Sequence, residues 1–182
     1  MNDTTPNCYS SRLELSWTLK NTYGKLEMLA QNLSKIRTNY DLILIDCPPT
    51  ESMLTEAAYL ASEYILVPVK PEFLCTIGLP LLVRSLKDFK GRHEAQSIKM
   101  AGIVFNSVSE NKEEHQRSKS DVKKVASENG WYVFDHEITY SDSYPKGSRV
   151  GKPIFQTAYA RGSKVAELRQ VAQEFLGRVA IN

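Results

Sequence analysis

Short apolar runs alternate with longer amphipathic stretches along this chain, and that alternation predicts a parallel sheet with helices on both faces. The run Tyr40-Asp41-Leu42-Ile43-Leu44-Ile45-Asp46 is too short for a helix and is stopped by Pro48 and Pro49, which predicts a buried central strand over 42–46. Strands are also expected over 64–69, 101–106 and, briefly, 131–134. Between them the spacing predicts a helix over 24–37 with Leu26, Leu29, Leu33 and Ile36 on one side, and a second over about 51–62. A third covers 76–89 with Leu79, Leu82, Val83, Leu86 and Phe89 at helical spacing. The polar stretch 107–129 reads as a loop and then a helix with Val122 and Val125 inward. Residues 135–160 read as irregular, and a last amphipathic helix over about 162–178 turns Val165, Leu168, Ala172, Phe175 and Leu176 inward. No internal repeat or linker interrupts the pattern, so a single α/β domain over 1–182 is expected.

Asp46 closes the first apolar run and stands where ligands of parallel sheets sit, just beyond a strand end. A carboxylate there suits Mg²⁺ held through its waters, because Mg²⁺ prefers oxygen ligands and sheds its hydration shell reluctantly. On its own the residue reads equally as a solvated loop Asp. Asn106 ends another expected buried strand at the same sheet edge, and its amide offers both a donor and an acceptor, as a nucleobase edge would require. It also suits a plain turn.

The stretch from Tyr40 to Leu79 resembles the Walker B and switch region of the ParA/MinD family of deviant Walker-A ATPases. The resemblance rests on Asp46-Cys47-Pro48-Pro49, on Thr55-Glu56-Ala57-Ala58, on the strand Ile65-Leu66-Val67-Pro68-Val69, and on Glu72-Phe73 followed by Gly78-Leu79. It continues more weakly through Gly102-Ile103-Val104-Phe105-Asn106 and Gly151-Lys152-Pro153-Ile154, covering roughly residues 24–178. It implies a three-layer, parallel-sheet P-loop NTPase-like fold that binds ATP and Mg²⁺. Asp46 would hold the metal's hydration shell, the turn containing Pro48 would act as a switch beside the nucleotide, and Asn106 would contact adenine.

One part of the family pattern is absent. A phosphate loop needs G-x-x-x-x-G-K-[ST] between a strand and a helix, so that backbone N–H groups can wrap the phosphates. Gly24-Lys25 is followed by Leu26 and Gly151-Lys152 by Pro153, so neither fits. Only 45 residues precede Asp46, whereas two βα units of the family come before this strand and a βαβ unit takes roughly 30 residues. The chain therefore looks like the C-terminal portion of a ParA-type protein, and no ATPase activity is expected from it alone.

Composition changes this picture little. With 182 residues, 42% hydrophobic and 24% charged, the chain can bury a sizeable core, and its lack of a signal-peptide pattern makes the cytoplasm the default compartment. Cys8, Cys47 and Cys75 are odd in number and widely spaced, which indicates neither a disulfide framework nor a zinc site. Cys47 has no histidine nearby in sequence to act as a base, which argues against a nucleophile. His93, His115 and His136 are isolated, and each is expected in an exposed polar segment.

Charge is more informative. From Ser143 to Ala166 there is no acidic residue, while Lys146, Arg149, Lys152, Arg161 and Lys164 give a local charge of +5 against +2 for the whole chain. Such a segment can neutralise phosphates without reading bases, although ordinary surface cations spread over several faces would look the same. The resemblance implies nonspecific DNA as a partner, a ParB-like partner protein, a homodimer in the complete protein, and no membrane. The C-terminal Phe175 to Asn182 is short and carries a single charge, unlike a MinD-type membrane helix, and no tyrosine-rich tail of the polysaccharide-export kinases is present. The alternatives are a ParA-derived interaction module without nucleotide chemistry and a MinD-like positioning ATPase.

Overall fold

The computed structural model describes residues 26–47, 52–109, 111–158 and 162–180. These fall in two units, one running to Glu63 and including His93–Ile98, the other comprising Tyr64–Arg92 and the residues from Lys99 onward.

The first unit contains helix α1 (Met28–Ser34), a 3-10 turn at Arg37–Asn39 and helix α2 (Met53–Leu60). Ser52 starts α2, its Oγ accepting the Thr55 N–H at 3.3 Å, and Thr55, Ala57 and Ala58 are buried along one side. The returning segment is tied to α2 by polar contacts. His93 Nε2 lies 2.9 Å from Glu56 Oε1, and Gln96 Nε2 donates to the Leu60 carbonyl at 3.2 Å.

Residues 42–46 do not form the expected strand. Their backbone has no ladder partner among the described residues, and Leu44 is 75% exposed. A strand exists through its neighbours, so an apolar run that finds no paired edge stays outside any sheet, here with Leu42, Ile43 and Leu44 exposed.

The second unit is built on three parallel strands, β1 (Tyr64–Val69), β2 (Lys99–Val108) and β3 (Ile138–Thr139), with β2 in the centre. Helix α3 (Phe73–Arg92) connects β1 to β2, and α4 (Glu113–Glu128) follows β2. After β3 come α5 (Ser143–Arg149), a 3-10 turn at Ile154–Gln156 and α6 (Gly162–Arg178). Five consecutive residues of β2, Ala101 to Phe105, are buried, the mark of a strand covered on both faces. On one face Ile103 and Phe105 pack with Leu79 of α3 and Val122 and Ala126 of α4. On the other, Val104 packs with Phe134 and Val171 of α6.

The register between β1 and β2 shifts where Ile65 pairs with Met100 and Leu66 with Gly102, leaving Ala101 as an extra residue. Gly102 follows at φ 152°, and a Cβ there would meet ring carbons of Phe134 at 2.7 and 2.9 Å. Only glycine fits that close approach. The Ala101 carbonyl accepts from Arg178 Nε at 3.1 Å, while the guanidinium carbon lies 4.4 Å from the centroid of Tyr132.

Other expectations move at their edges. The third helix is longer than its apolar spacing indicates, and residues 131–134 contribute a single bridge, Ile103 with Val133, instead of a strand. The region read as irregular contains β3 and α5. On α6, Val171 is buried and Ala172 is exposed, a shift of one position in the inward face.

Candidate functional site

Asp46 is exposed, and it raises the thiol pKa of the neighbouring Cys47 as a secondary contribution to the larger effect of that thiol's own burial. Pro48 and Pro49 lie outside the described residues. No group of three or more His, Cys, Asp or Glu side chains that could hold a metal exists among the described residues. One exposed carboxylate can touch the waters of a hydrated Mg²⁺, whereas cradling phosphates takes several convergent backbone N–H groups.

Asn106 does not end its strand. It is exposed, pairs with Ile138 of β3, and is followed by Ser107 at φ 55° before β2 finishes at Val108. The exit is strained for a residue other than glycine. Around this C-terminal sheet edge lie polar groups that the sequence does not single out. Lys70 Nζ sits 2.6 Å from Glu72 Oε1 just after β1, and Tyr140 OH donates to Asp142 Oδ1 at 2.6 Å just after β3. The hydrogen bond from Lys70 holds the Glu72 carboxyl below its ordinary range, with the fields of Lys70, His115 and Lys112 adding to it against a partial burial cost. The bond to Asp142 pushes the Tyr140 hydroxyl up, while the positive charge of Lys70 opposes it. Their one signal in the sequence is position, directly after strand ends.

His115 corrects an expectation. It is buried in the first turn of α4 rather than exposed, because its ring closes the loop after β2. Nδ1 accepts the Ser109 N–H at 3.0 Å, which places the proton of the neutral ring on Nε2, a buried atom with no hydrogen-bond partner among the described residues. His93 and His136 are paired with carboxylates, His136 Nδ1 lying 2.7 Å from Glu174 Oε2.

The basic segment divides. Lys146 and Arg149 are exposed in the last turn of α5, where cations suit the helix dipole, and Lys152 is exposed just beyond Gly151. Lys164 is half-buried, donating to Thr139 Oγ1 and lying 2.7 Å from Glu167 Oε1, so its charge is neutralised within the fold. Burial alone would raise the Glu167 carboxyl; bonds from Lys164 and Thr139 outweigh that and lower it. Arg161 lies outside the described residues. Asp46 and Asn106 belong to different units. No helix among the described residues is long and apolar enough to cross a membrane.

Residues 10–100, half of the chain, match the AAA_31 family, an AAA domain. An uncharacterised protein of Methanocaldococcus jannaschii is 27% identical over 150 residues, covering 80% of this chain and 56% of its own length. The chromosome partitioning protein ParA of Caulobacter vibrioides is 28% identical over 144 residues, covering 78% of this chain and 51% of its own. The chain thus spans about half the length of the curated relatives it matches. Among solved structures, an ATP complex of a McdA variant from Cyanothece superposes with a TM-score of 0.74 at 16% identity, covering 93% of this chain and 63% of that one. That likeness shows the fold, a parallel-sheet α/β fold of the P-loop NTPase type. Together with the sequence Asp46-Cys47-Pro48-Pro49 and the parallel pairing of β1 with β2, these matches place the chain in the ParA/MinD-type family of P-loop ATPases.

Proposed function

We propose that this chain supplies the Walker B and C-terminal portion of a ParA-like partitioning ATPase. In complete form that protein binds ATP with Mg²⁺, dimerises, binds DNA without reading its sequence, and acts with a ParB-like partner to segregate a chromosome or plasmid in the cytoplasm, at the nucleoid. The observation that carries this reading is Asp46, an exposed carboxylate at the end of an apolar run and followed at once by Cys47-Pro48-Pro49. In the complete protein it would hold waters of the metal, and the turn with Pro48 would respond to the nucleotide. Asn106, exposed beside a strained backbone exit, would read the base edge. No catalytic step is assigned to this chain alone, since phosphoryl transfer depends on positioning and charge that a phosphate loop supplies. The second reading, a ParA-derived interaction module without nucleotide chemistry, is favoured by the lack of a G-x-x-x-x-G-K-[ST] motif.

DNA contact is assigned to Lys146, Arg149 and Lys152, which are exposed within 143–166, and not to the neutralised Lys164. Replacing the three by Ala should make the slope of log K against log salt shallower by up to about 2.7, at roughly 0.9 for each phosphate no longer neutralised. Fluorescence titration of unrelated duplexes at several salt concentrations measures this, with folding checked by circular dichroism. An unchanged slope and affinity in the folded triple variant would remove the segment from DNA binding.

A further inference from the structure

His115 heads the buried face of α4, ahead of Ser118, Val122 and Ala126, and only 1% of it is exposed. An apolar residue would suit that place as well; what the ring adds is a hydrogen-bond acceptor. Ser109 stands directly after β2. Its carbonyl accepts the Lys112 N–H at 3.2 Å, and its own N–H donates to His115 Nδ1 at 3.0 Å, so one side chain closes the loop from β2 into α4. The strand end before it is fixed separately: Val108 pairs with Thr139, and its carbonyl accepts the Tyr140 N–H at 2.8 Å. Release at Ser109 would therefore free the loop and leave the sheet intact.

The charged groups around the ring are few. In its own first turn of α4 stand Glu113, paired with Arg117, and Glu114, which accepts from Ser118 Oγ. Lys119 lies one turn on and is paired with Glu137. Lys112 precedes the helix, and Glu72, after β1, feels the fields of Lys112 and His115. The face shared by α3 and α4 adds only apolar groups, among them Leu79 and Leu82. Glu110, in the loop itself, lies outside the described residues. The hydrogen bond between Lys70 and Glu72 pushes the ammonium up and holds the carboxyl below its ordinary range, so that pair keeps its charges where imidazoles titrate.

We propose that His115 is a proton-operated latch on the loop between β2 and α4, closed while the ring is neutral and released when the ring takes up a proton. The closed form needs a bare lone pair on Nδ1. Protonation puts an N–H there, facing the N–H of Ser109, and turns the bond into a repulsion between two donors. It also sets a buried cation in the first turn of a helix, where the dipole disfavours it. The closed loop thus excludes a proton that the open loop accepts, so closure is complete at high pH and is lost as pH falls. The loop follows Asn106 and the strained Ser107 at the C-terminal edge of the sheet, where parallel α/β folds place their ligands, and the latch sets the shape of that edge. It requires neither nucleotide nor metal, so its success or failure is independent of the ATPase reading.

The test is hydrogen exchange of the Ser109 amide in the full chain, followed by NMR from about pH 8 to about pH 5 and corrected for the intrinsic pH dependence of exchange. Protection should fall by about tenfold or more as the pH drops, the ratio that one hydrogen bond of ordinary net strength sets. His115→Asn keeps a carbonyl acceptor near the place of Nδ1 but has no proton to gain, so its Ser109 protection should be the same at both ends of the range. His93 and His136 remain in that variant, and a response that came from them would persist in it. Ser109 protection indifferent to pH in the parent, or a pH response that survives in His115→Asn, would each overturn the proposal. Should His115→Asn fail to fold, the ring nitrogen shifts of the parent decide. Nδ1 must be bare at high pH and gain its proton in step with the loss of Ser109 protection; a proton on Nδ1 at high pH, or protonation that leaves protection unchanged, overturns the latch.

Discussion

Glu174 draws donors from Tyr132, Asp135 and His136 onto one carboxylate. It accepts from the Tyr132 hydroxyl at 2.7 Å, from the Asp135 N–H at 2.8 Å and from the His136 N–H at 3.1 Å, with His136 Nδ1 also 2.7 Å away. Burial alone would raise its pKa, yet these donors outweigh burial and hold the carboxyl below its ordinary range. The same bond pushes the Tyr132 hydroxyl up to about 12. A carboxyl whose pKa is lower folded than unfolded adds stability above its unfolded pKa, near about 4.3, and loses that contribution as pH falls through the folded value. Glu174→Gln should therefore lower the urea midpoint at pH 7, by the equivalent of about 1–3 kcal/mol for the missing charge-assisted bonds, and should flatten the acid limb of stability against pH. An acid limb identical in the two proteins would show that Glu174 contributes nothing to it.

At the level of elements, apolar character and cover part company. Leu44 and Ile103 both sit in Leu/Ile/Val-rich runs, yet Ile103 is fully buried between two helical layers and Leu44 faces solvent. Ile103→Ala should cost about 2–5 kcal/mol, whereas Leu44→Asp should stay within about 0.5 kcal/mol. Denaturant midpoints of the two variants decide this, and a severe loss in Leu44→Asp would mean that residues 42–46 are covered in solution. The same contrast explains what is legible in the sequence. β2 and the helices α3 and α4 can be read there because their periodicity and their burial agree, and β1 and α6 can be placed although β1 is mostly half-buried and the inward face of α6 is shifted by one residue. The strand expected over 42–46 does not form because an apolar run states a preference, while pairing depends on neighbours the run does not encode. His115 departs from expectation for a related reason: a polar helix turn looks solvated until a loop amide, here that of Ser109, folds onto it. Lys164 looks like its basic neighbours until Glu167, three residues on, neutralises it.

For the molecule as a whole, the sequence contains no G-x-x-x-x-G-K-[ST] motif. A single exposed carboxylate such as Asp46 cannot replace backbone N–H groups around phosphates, so calorimetry with ATP and Mg²⁺ should show no saturable binding below about millimolar, where binding free energy is only about 4 kcal/mol. Micromolar affinity that vanished in Asp46→Ala would contradict this directly and would give the chain a nucleotide site of its own.

The bulge in β2 also bears on the order in which the protein can be made. Ribosomes deliver the chain from its N-terminus, and early segments begin to fold while later ones are still being synthesised. Ala101 emerges long before Arg178, the residue whose guanidinium takes its carbonyl and closes over Tyr132. Until then the central strand holds an extra residue whose polar group lacks its native partner, and the face that Val171 will cover stays open. The sheet is therefore completed late, by the helix that arrives last among those described, and a nascent chain stalled before that helix would present an unfinished sheet to the quality-control machinery of the cell.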